Sequence, residues 1–293
     1  MRGIFISIAF LVFLFFAFII GIVVGLAIFG DESFLPGDKV AVLRIDDVIL
    51  DSQIYLESLS KIKKDKSIKA LVLSINSPGG AVGPSQEIYS EAISLRKKKP
   101  VIASLGSVAA SGGYYIACGA QKILSNPGTI TGSIGVVAQF VSFEQLLKWA
   151  KVDVEVIKSG RFKDVGSPFR EMTEADKAYM KNIIDNIHSQ FKEAVSVSRN
   201  IELKEVDKIS DGRIFTGQQA LELKLVDQLG TINDAIRLAG SLGGIKEEPN
   251  VVYFPKKKNT FIDFLLSKFD YHGLTSYPLN NQFGLFYLLN IVH

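Results

Sequence analysis

The sequence predicts an α/β domain with a largely parallel sheet and crossover helices, preceded by one N-terminal transmembrane helix. Three observations lead there. Short apolar runs of strand length end in Gly, Pro or Ser; helical patterns fall between them; and residues 4–29 carry no charge at all. Strands that read as continuous apolar runs are covered on both faces, and strand–helix alternation is the signature of a parallel sheet with right-handed crossovers.

The N-terminal run is rich in Ile, Leu, Phe and Val and exceeds the 20 or so residues that span a bilayer as a helix. Arg2 precedes it, whereas Asp31, Glu32 and Asp38 follow, so the basic-side rule puts the N-terminus in the cytoplasm and the remainder outside the cell membrane. A cleaved signal peptide would have an apolar core of about 7–15 residues and a small-x-small site. This run is longer and ends Leu26-Ala27-Ile28-Phe29-Gly30, so an uncleaved single-pass anchor is expected, contacting lipid through residues 4–29.

Residues 1–30 thus read as anchor, 31–39 as a Gly- and Pro-containing linker, 40–245 as the α/β domain and 246–293 as an apolar tail. The spacing predicts strands over 40–45, 71–75, 101–105 and 154–157, with a helix over 85–97. A long helix is expected over 173–199, with Thr173 as N-cap, Asp176 closing a capping box, and Ile183, Ile184, Ile187, Phe191 and Ala194 on one face. Shorter helices are expected over 217–223 and 231–242. The tail carries Lys256-Lys257-Lys258, then Phe261, Phe264, Leu265, Leu266 and Phe269, then Gly284-Leu285-Phe286-Tyr287-Leu288-Leu289. The domain itself or another subunit is its favoured packing surface, ahead of the membrane surface or a peptide groove.

Thirty-three basic against 30 acidic side chains give a net charge of +3, too even a balance to imply a nucleic-acid partner. The run Arg96-Lys97-Lys98-Lys99 before Pro100 reads as a solvated helix end. A single cysteine, Cys118, excludes an intramolecular disulfide and a cysteine metal cluster, and no cofactor is expected.

Chemistry is suggested at the strand ends. Asn76-Ser77-Pro78-Gly79-Gly80 follows one strand, and its glycines let backbone N–H groups approach a ligand. Gly106-Ser107-Val108-Ala109-Ala110-Ser111-Gly112-Gly113 follows another, a strand–turn–helix setting in which Ser111 is exposed and the Gly112 N–H comes next, as in acyl-transfer enzymes. Read alone, these segments are equally compatible with a structural turn and an N-cap serine.

A serine nucleophile needs a base. None of the three histidines, His188, His272 and His293, stands beside a glycine-rich or strand-end segment. Lys163, in Ser159-Gly160-Arg161-Phe162-Lys163-Asp164-Val165-Gly166, is another candidate. Solvated lysines titrate near 10.4 and stay charged at neutral pH, so a lysine base must be buried. Phe162, Val165 and Phe169 are apolar neighbours able to do this, although most lysines in such loops are simply solvated.

The segments 76–80, 109–115, 127–136 and 158–170 together resemble the signal peptide peptidase A family of serine proteases, with the ClpP/crotonase fold, over most of residues 40–245. The resemblance implies Ser111 as nucleophile and Lys163, 52 positions later, as general base. It also implies Gly79 and Gly112 as oxyanion-hole donors and Ser133 as the group orienting the lysine. The length is similar to the short bacterial form, which implies a homo-oligomeric ring whose subunits share active sites, acting on remnant signal peptides and other short apolar peptides. Two rivals are a crotonase-type hydratase or isomerase, for which Glu87 or Glu144 would be the carboxylate, and a non-catalytic membrane scaffold.

Overall fold

The computed structural model describes residues 10–21, 37–256 and, for the backbone, 286–288. Residues 10–21 form helix α1, which carries exposed Phe10, Phe13, Phe15 and Ile20. Among the described residues no helix is long and apolar enough to cross a membrane; the rest of the expected 4–29 span lies outside them.

The domain proper runs β1 (Lys39–Asp46), α2 (Gln53–Lys64), β2 (Ile68–Ser77), β3 (Gly79–Ala81), α3 (Val82–Arg96), β4 (Val101–Ala110), α4 (Gly112–Ala117), β5 (Lys122–Ser125) and β6 (Ile130–Gly132). It continues through α5 (Glu144–Trp149), α6 (Glu174–Arg199), α7 (Leu203–Asp207), β7 (Ile214–Thr216), α8 (Gly217–Glu222), β8 (Gln228–Leu229), α9 (Ile232–Leu242) and β9 (Asn250–Phe254). A last strand, β10 (Phe286–Leu288), pairs with β3 in a separate two-stranded sheet.

The main sheet has the order β7-β6-β4-β2-β1-β9 and is parallel except at β6–β7. Strand β4 changes partner along its length. Ile102 to Leu105 pair with β5, and Val108 to Ala110 pair with β6. The sheet thereby fans open at the end of β4, one residue before Ser111.

Period-two alternation sorts the strand residues onto two faces. Ala41, Leu43 and Ile45 pack with Leu71, Leu73 and Ile75 on the side covered by α2, α3, α4 and α6, in a core closed by Tyr114 and Phe191. Val40, Val42, Ala70, Val72, Ile102 and Leu124 face the other way, against Ala235, Ile236 and Ala239 of α9. Burial on both faces explains why these strands read as unbroken apolar runs.

Helix α6 has the expected capping box, with Thr173 Oγ1 accepting from the Asp176 N–H at 3.2 Å and the Asp176 carboxylate accepting from the Thr173 N–H at 3.0 Å. One sequence expectation is corrected. Residues 154–157 form no strand: Val154 and Val156 are about half exposed and Ile157 is 94% exposed, because among the described residues no strand lies alongside to complete a ladder. Strand β9 lies beyond residue 245 and completes the sheet edge beside β1. Helix α2 buries only Ser58, Leu59 and Ile62, a face too narrow to stand out in its polar composition.

Candidate active site

Strand β4 delivers Ser111 to the N-terminal end of α4 in a turn with φ 53° and ψ −118°. A non-glycine residue at positive φ costs of order 1–3 kcal/mol and is held only by its surroundings. Here the Ser111 N–H donates to the Gly132 carbonyl at 2.8 Å, and the Ser111 carbonyl accepts from the Tyr115 N–H at 2.8 Å. The side chain is 1% exposed, and its hydroxyl has no hydrogen-bond partner among the described residues. Strain of this kind predicts that Ser111→Gly is more stable to denaturant than Ser111→Ala, by about 1 kcal/mol after glycine's extra unfolded-state entropy is subtracted. Equal midpoints would show that the turn is unstrained.

The two glycine motifs meet at this turn. A Cβ added to Gly112 would stand 2.6 Å from Ser85 Oγ, 3.2 Å from the Gly80 nitrogen and 3.3 Å from the Gly79 Cα, so only glycine allows the contact between the start of α4 and β3. Of the neighbouring pair, Gly79 has its N–H directed at Ser77 Oγ, at 3.1 Å, and Ser77 is itself anchored on the Asp47 carbonyl at 2.5 Å. Gly80 differs. Ile49 takes the far edge of β3, its N–H donating to the Gly79 carbonyl at 2.9 Å and its carbonyl accepting from Ala81 at 2.7 Å. Peptide groups alternate along a strand, so the Gly80 N–H and C=O face the other edge, toward the Ser111–Gly112 turn.

Ser133 enters through β6, which pairs Gly132 with Ala110. It follows directly the residue whose carbonyl holds the Ser111 N–H. Ser133 is buried, with φ 51°, and its N–H donates to the Arg213 carbonyl at 2.8 Å. Ser111, Gly79, Gly80, Gly112 and Ser133 are thus brought together by β3, β4 and β6.

Lys163 is not brought to them. It is exposed, in a turn closed by its own N–H on the Gly160 carbonyl at 3.1 Å, and its ammonium has no partner among the described residues. Phe162 and Phe169, expected to bury it, are 40% and 47% exposed, and Phe162 stacks instead on Tyr179 of α6 at 4.8 Å. The turn is nonetheless well fixed. Asp164 accepts from Lys158 at 2.6 Å and from two nitrogens of Arg170 at 2.8 Å, and Arg170 also reaches Asp176 at 2.7 Å. The Arg170 guanidinium holds the Asp176 carboxyl down at about 2, and Arg170 with Lys158 holds Asp164 lower still. Carboxyls depressed in the folded state favour it above their ordinary range near 4, and that contribution is lost as pH falls toward 2.

The carboxylates of the hydratase rival have other partners. Glu144 pairs with Lys148 at 2.6 Å and accepts from the Glu171 N–H at 2.7 Å, and exposed Glu87 accepts from Ser52. His188 lies on α6 with Nε2 unpartnered, and no cluster of His, Cys, Asp and Glu among the described residues could hold a metal. Sequence reasoning missed Gly80 and Arg170; the second glycine of the Pro-Gly-Gly turn was the available signal for the first, and nothing marked the second.

Comparison with known proteins identifies the family. The model of peptidase family S49 matches residues 93–246, just over half of the chain, and that of Clp protease matches 44–129. "Putative protease slr0021" of Synechocystis sp. is 45% identical over 199 residues, covering 67% of this chain and 72% of that protein. "Putative signal peptide peptidase SppA" of Enterococcus faecium is 35% identical over 219 residues, 70% of this chain and 64% of that protein. "Protease 4" of Haemophilus influenzae is 32% identical over 251 residues, covering 80% of this chain and 41% of its own length. A ClpP-like α/β fold with a serine at the strand–helix junction, and a family match over more than half the sequence, make this chain a serine peptidase of family S49, the signal peptide peptidase A family.

Proposed function

We propose that the chain is a membrane-anchored endopeptidase that cleaves remnant signal peptides and other short apolar peptides with a Ser111–Lys163 dyad. The observation that carries this reading is Ser111 held in a strained turn, with Gly112 behind it and the edge of β3 in front. Ser111 Oγ attacks the peptide carbonyl while the neutral Lys163 amine takes its proton. Lys163 then protonates the leaving amine, and water hydrolyses the acyl-enzyme. The Gly112 N–H and the Gly80 N–H stabilise the oxyanion; Gly80 is preferred over Gly79, whose N–H is directed at Ser77. A fluorophosphonate probe is expected to label Ser111 in the wild type and to leave Ser111→Ala unlabelled; absence of labelling in both would remove the acyl-enzyme reading.

Lys163 acts on a neighbouring subunit's Ser111. Support comes from the segment that carries it, where Val141, Phe143, Leu146, Trp149 and Ile157 are exposed, an apolar surface of the kind that marks an interface. Closing a second copy over that surface supplies the desolvation a lysine base needs. Ser133, beside the nucleophile, orients the incoming amine. The uncharged N-terminal run holds the ring on the outer face of the cell membrane, where apolar peptides are released.

Arg170 ties the Lys163 turn to α6, so Arg170→Met is expected to lower kcat roughly 10- to 100-fold with little change in KM, by letting the base drift from its near-attack position. Arg170→Lys restores only part of the loss, because an ammonium lacks the fork that spans two carboxylates. Steady-state hydrolysis of an apolar reporter peptide measures both; an unchanged kcat in Arg170→Met would show that the turn needs no latch.

A further inference from the structure

Strands β1, β2, β4, β5 and β9 run parallel, so they start at one end of the domain, and the crossover helices α2 and α3 finish there. Lys99 ties the two helix ends together. Its ammonium donates to the Ile62 carbonyl at 2.6 Å and to the Asp65 carbonyl at 2.5 Å, so of the run expected to be a solvated helix end this member is half-buried and engaged. The chain enters at the same place: the Lys39 N–H donates to the Ser67 carbonyl at 2.8 Å, and Lys69 pairs with Asp38 at 3.3 Å.

Around this point stand Lys61 and Lys64 on the last turn of α2, Lys66 in the loop to β2, and Lys97 and Lys98 just after α3. All five are exposed, and their ammoniums have no partner among the described residues. The dipoles of α2 and α3 favour cations in their last turns, yet Lys66 and Lys98 stand outside both helices. The acids nearby are taken: Glu91 pairs with Lys63 at 2.8 Å, Asp38 with Lys69, and Asp65 accepts from Ser67. Glu247 and Glu248 follow α9, which covers the opposite face of the sheet.

We propose that this basic end of the domain binds the anionic phospholipid headgroups of the bilayer that holds the N-terminal run. The inference rests on the reading of residues 4–29 as a membrane anchor. The nine residues 30–38 join that run to Lys39 and reach at most about 30 Å when extended, so this end is the part of the domain held nearest the lipid. Each cation brought within a Debye length of an anionic surface, about 8 Å in physiological salt, strengthens the contact about fivefold. Strand β4 starts at this end and delivers Ser111 at the other, ten residues and about 30 Å of strand away. Docking therefore turns the peptidase site away from the lipid, toward peptides that have left the bilayer.

Amine acetylation read by peptide mass spectrometry tests this on the full chain, reconstituted in vesicles of phosphatidylcholine alone or with about one third phosphatidylglycerol. In the anionic vesicles the five lysines, and Lys69 beside them, are expected to react at least about threefold more slowly, with the difference lost near 1 M salt. Lys177 and Lys181, in the first half of α6, are expected to react equally in both. Equal rates throughout, for a chain that resists carbonate extraction, would overturn the docking and leave the anchor reading intact. A chain that carbonate strips from both vesicles would overturn both. The same protection from inorganic phosphate in phosphatidylcholine vesicles would assign the lysines to free phosphate and overturn the lipid surface. The combined variant Lys61→Gln, Lys64→Gln, Lys66→Gln, Lys97→Gln, Lys98→Gln removes no contact among the described residues, so its fold is spared. In it Lys69 is expected to react in anionic vesicles as fast as in phosphatidylcholine; protection that persists there would show that the five lysines do not make the contact.

Discussion

Ser111→Ala is expected to lower kcat for peptide hydrolysis by at least about a thousandfold while leaving the fold and its melting temperature nearly unchanged. The loss is large because nothing else at the turn can form the covalent bond: the neighbouring positions are Ala110 and Gly112, and Ser133 follows a different strand. The fold is spared because the hydroxyl has no partner among the described residues, so its removal leaves no buried donor or acceptor unpaired. Alanine keeps the strained φ that the Gly132 and Tyr115 hydrogen bonds enforce, so the destabilisation should stay within about 0.5 kcal/mol. Circular dichroism and reporter hydrolysis on the same preparation separate the two effects. A kcat within tenfold of wild type would remove Ser111 from the chemistry.

The legible parts of this molecule are those whose partners lie close by or on both faces. Strands β1, β2 and β4 announced themselves because both faces are buried, and α6 because Thr173 forms a capping box with the residue three positions on. The site was legible as two glycine-bearing strand ends, yet that they meet is a consequence of sheet order, which brings β2, β4 and β6 side by side. The Gly79–Gly80 distinction could not be read in advance, because it depends on Ser77 Oγ accepting from one N–H and on Ile49 taking the far edge of β3. Residues 154–157 have the composition of a strand but lack a neighbouring strand among the described residues, and β-propensity expresses packing more than backbone preference.

The same absence bears on Lys163, whose separation from Ser111 in one chain sets up the second large effect. Lys163→Ala is expected to abolish hydrolysis as completely as Ser111→Ala. Equal mixtures of the two inactive proteins, dissociated and reassembled, are expected to recover about a quarter of wild-type activity if each site takes its serine from one subunit and its lysine from the next. The fraction follows from chance. A working site needs the intact Ser111 of a Lys163→Ala subunit beside the intact Lys163 of a Ser111→Ala subunit, and each choice has even odds. A dyad within one chain would give no recovery at any ratio, since every chain then carries one defect in its own site. The titration curve discriminates further: activity should peak at the equal mixture and fall symmetrically on either side. A lysine exposed on an apolar arm, fixed by Asp164 and Arg170 yet unpartnered among the described residues, is what a subunit offering its base to a neighbour should show.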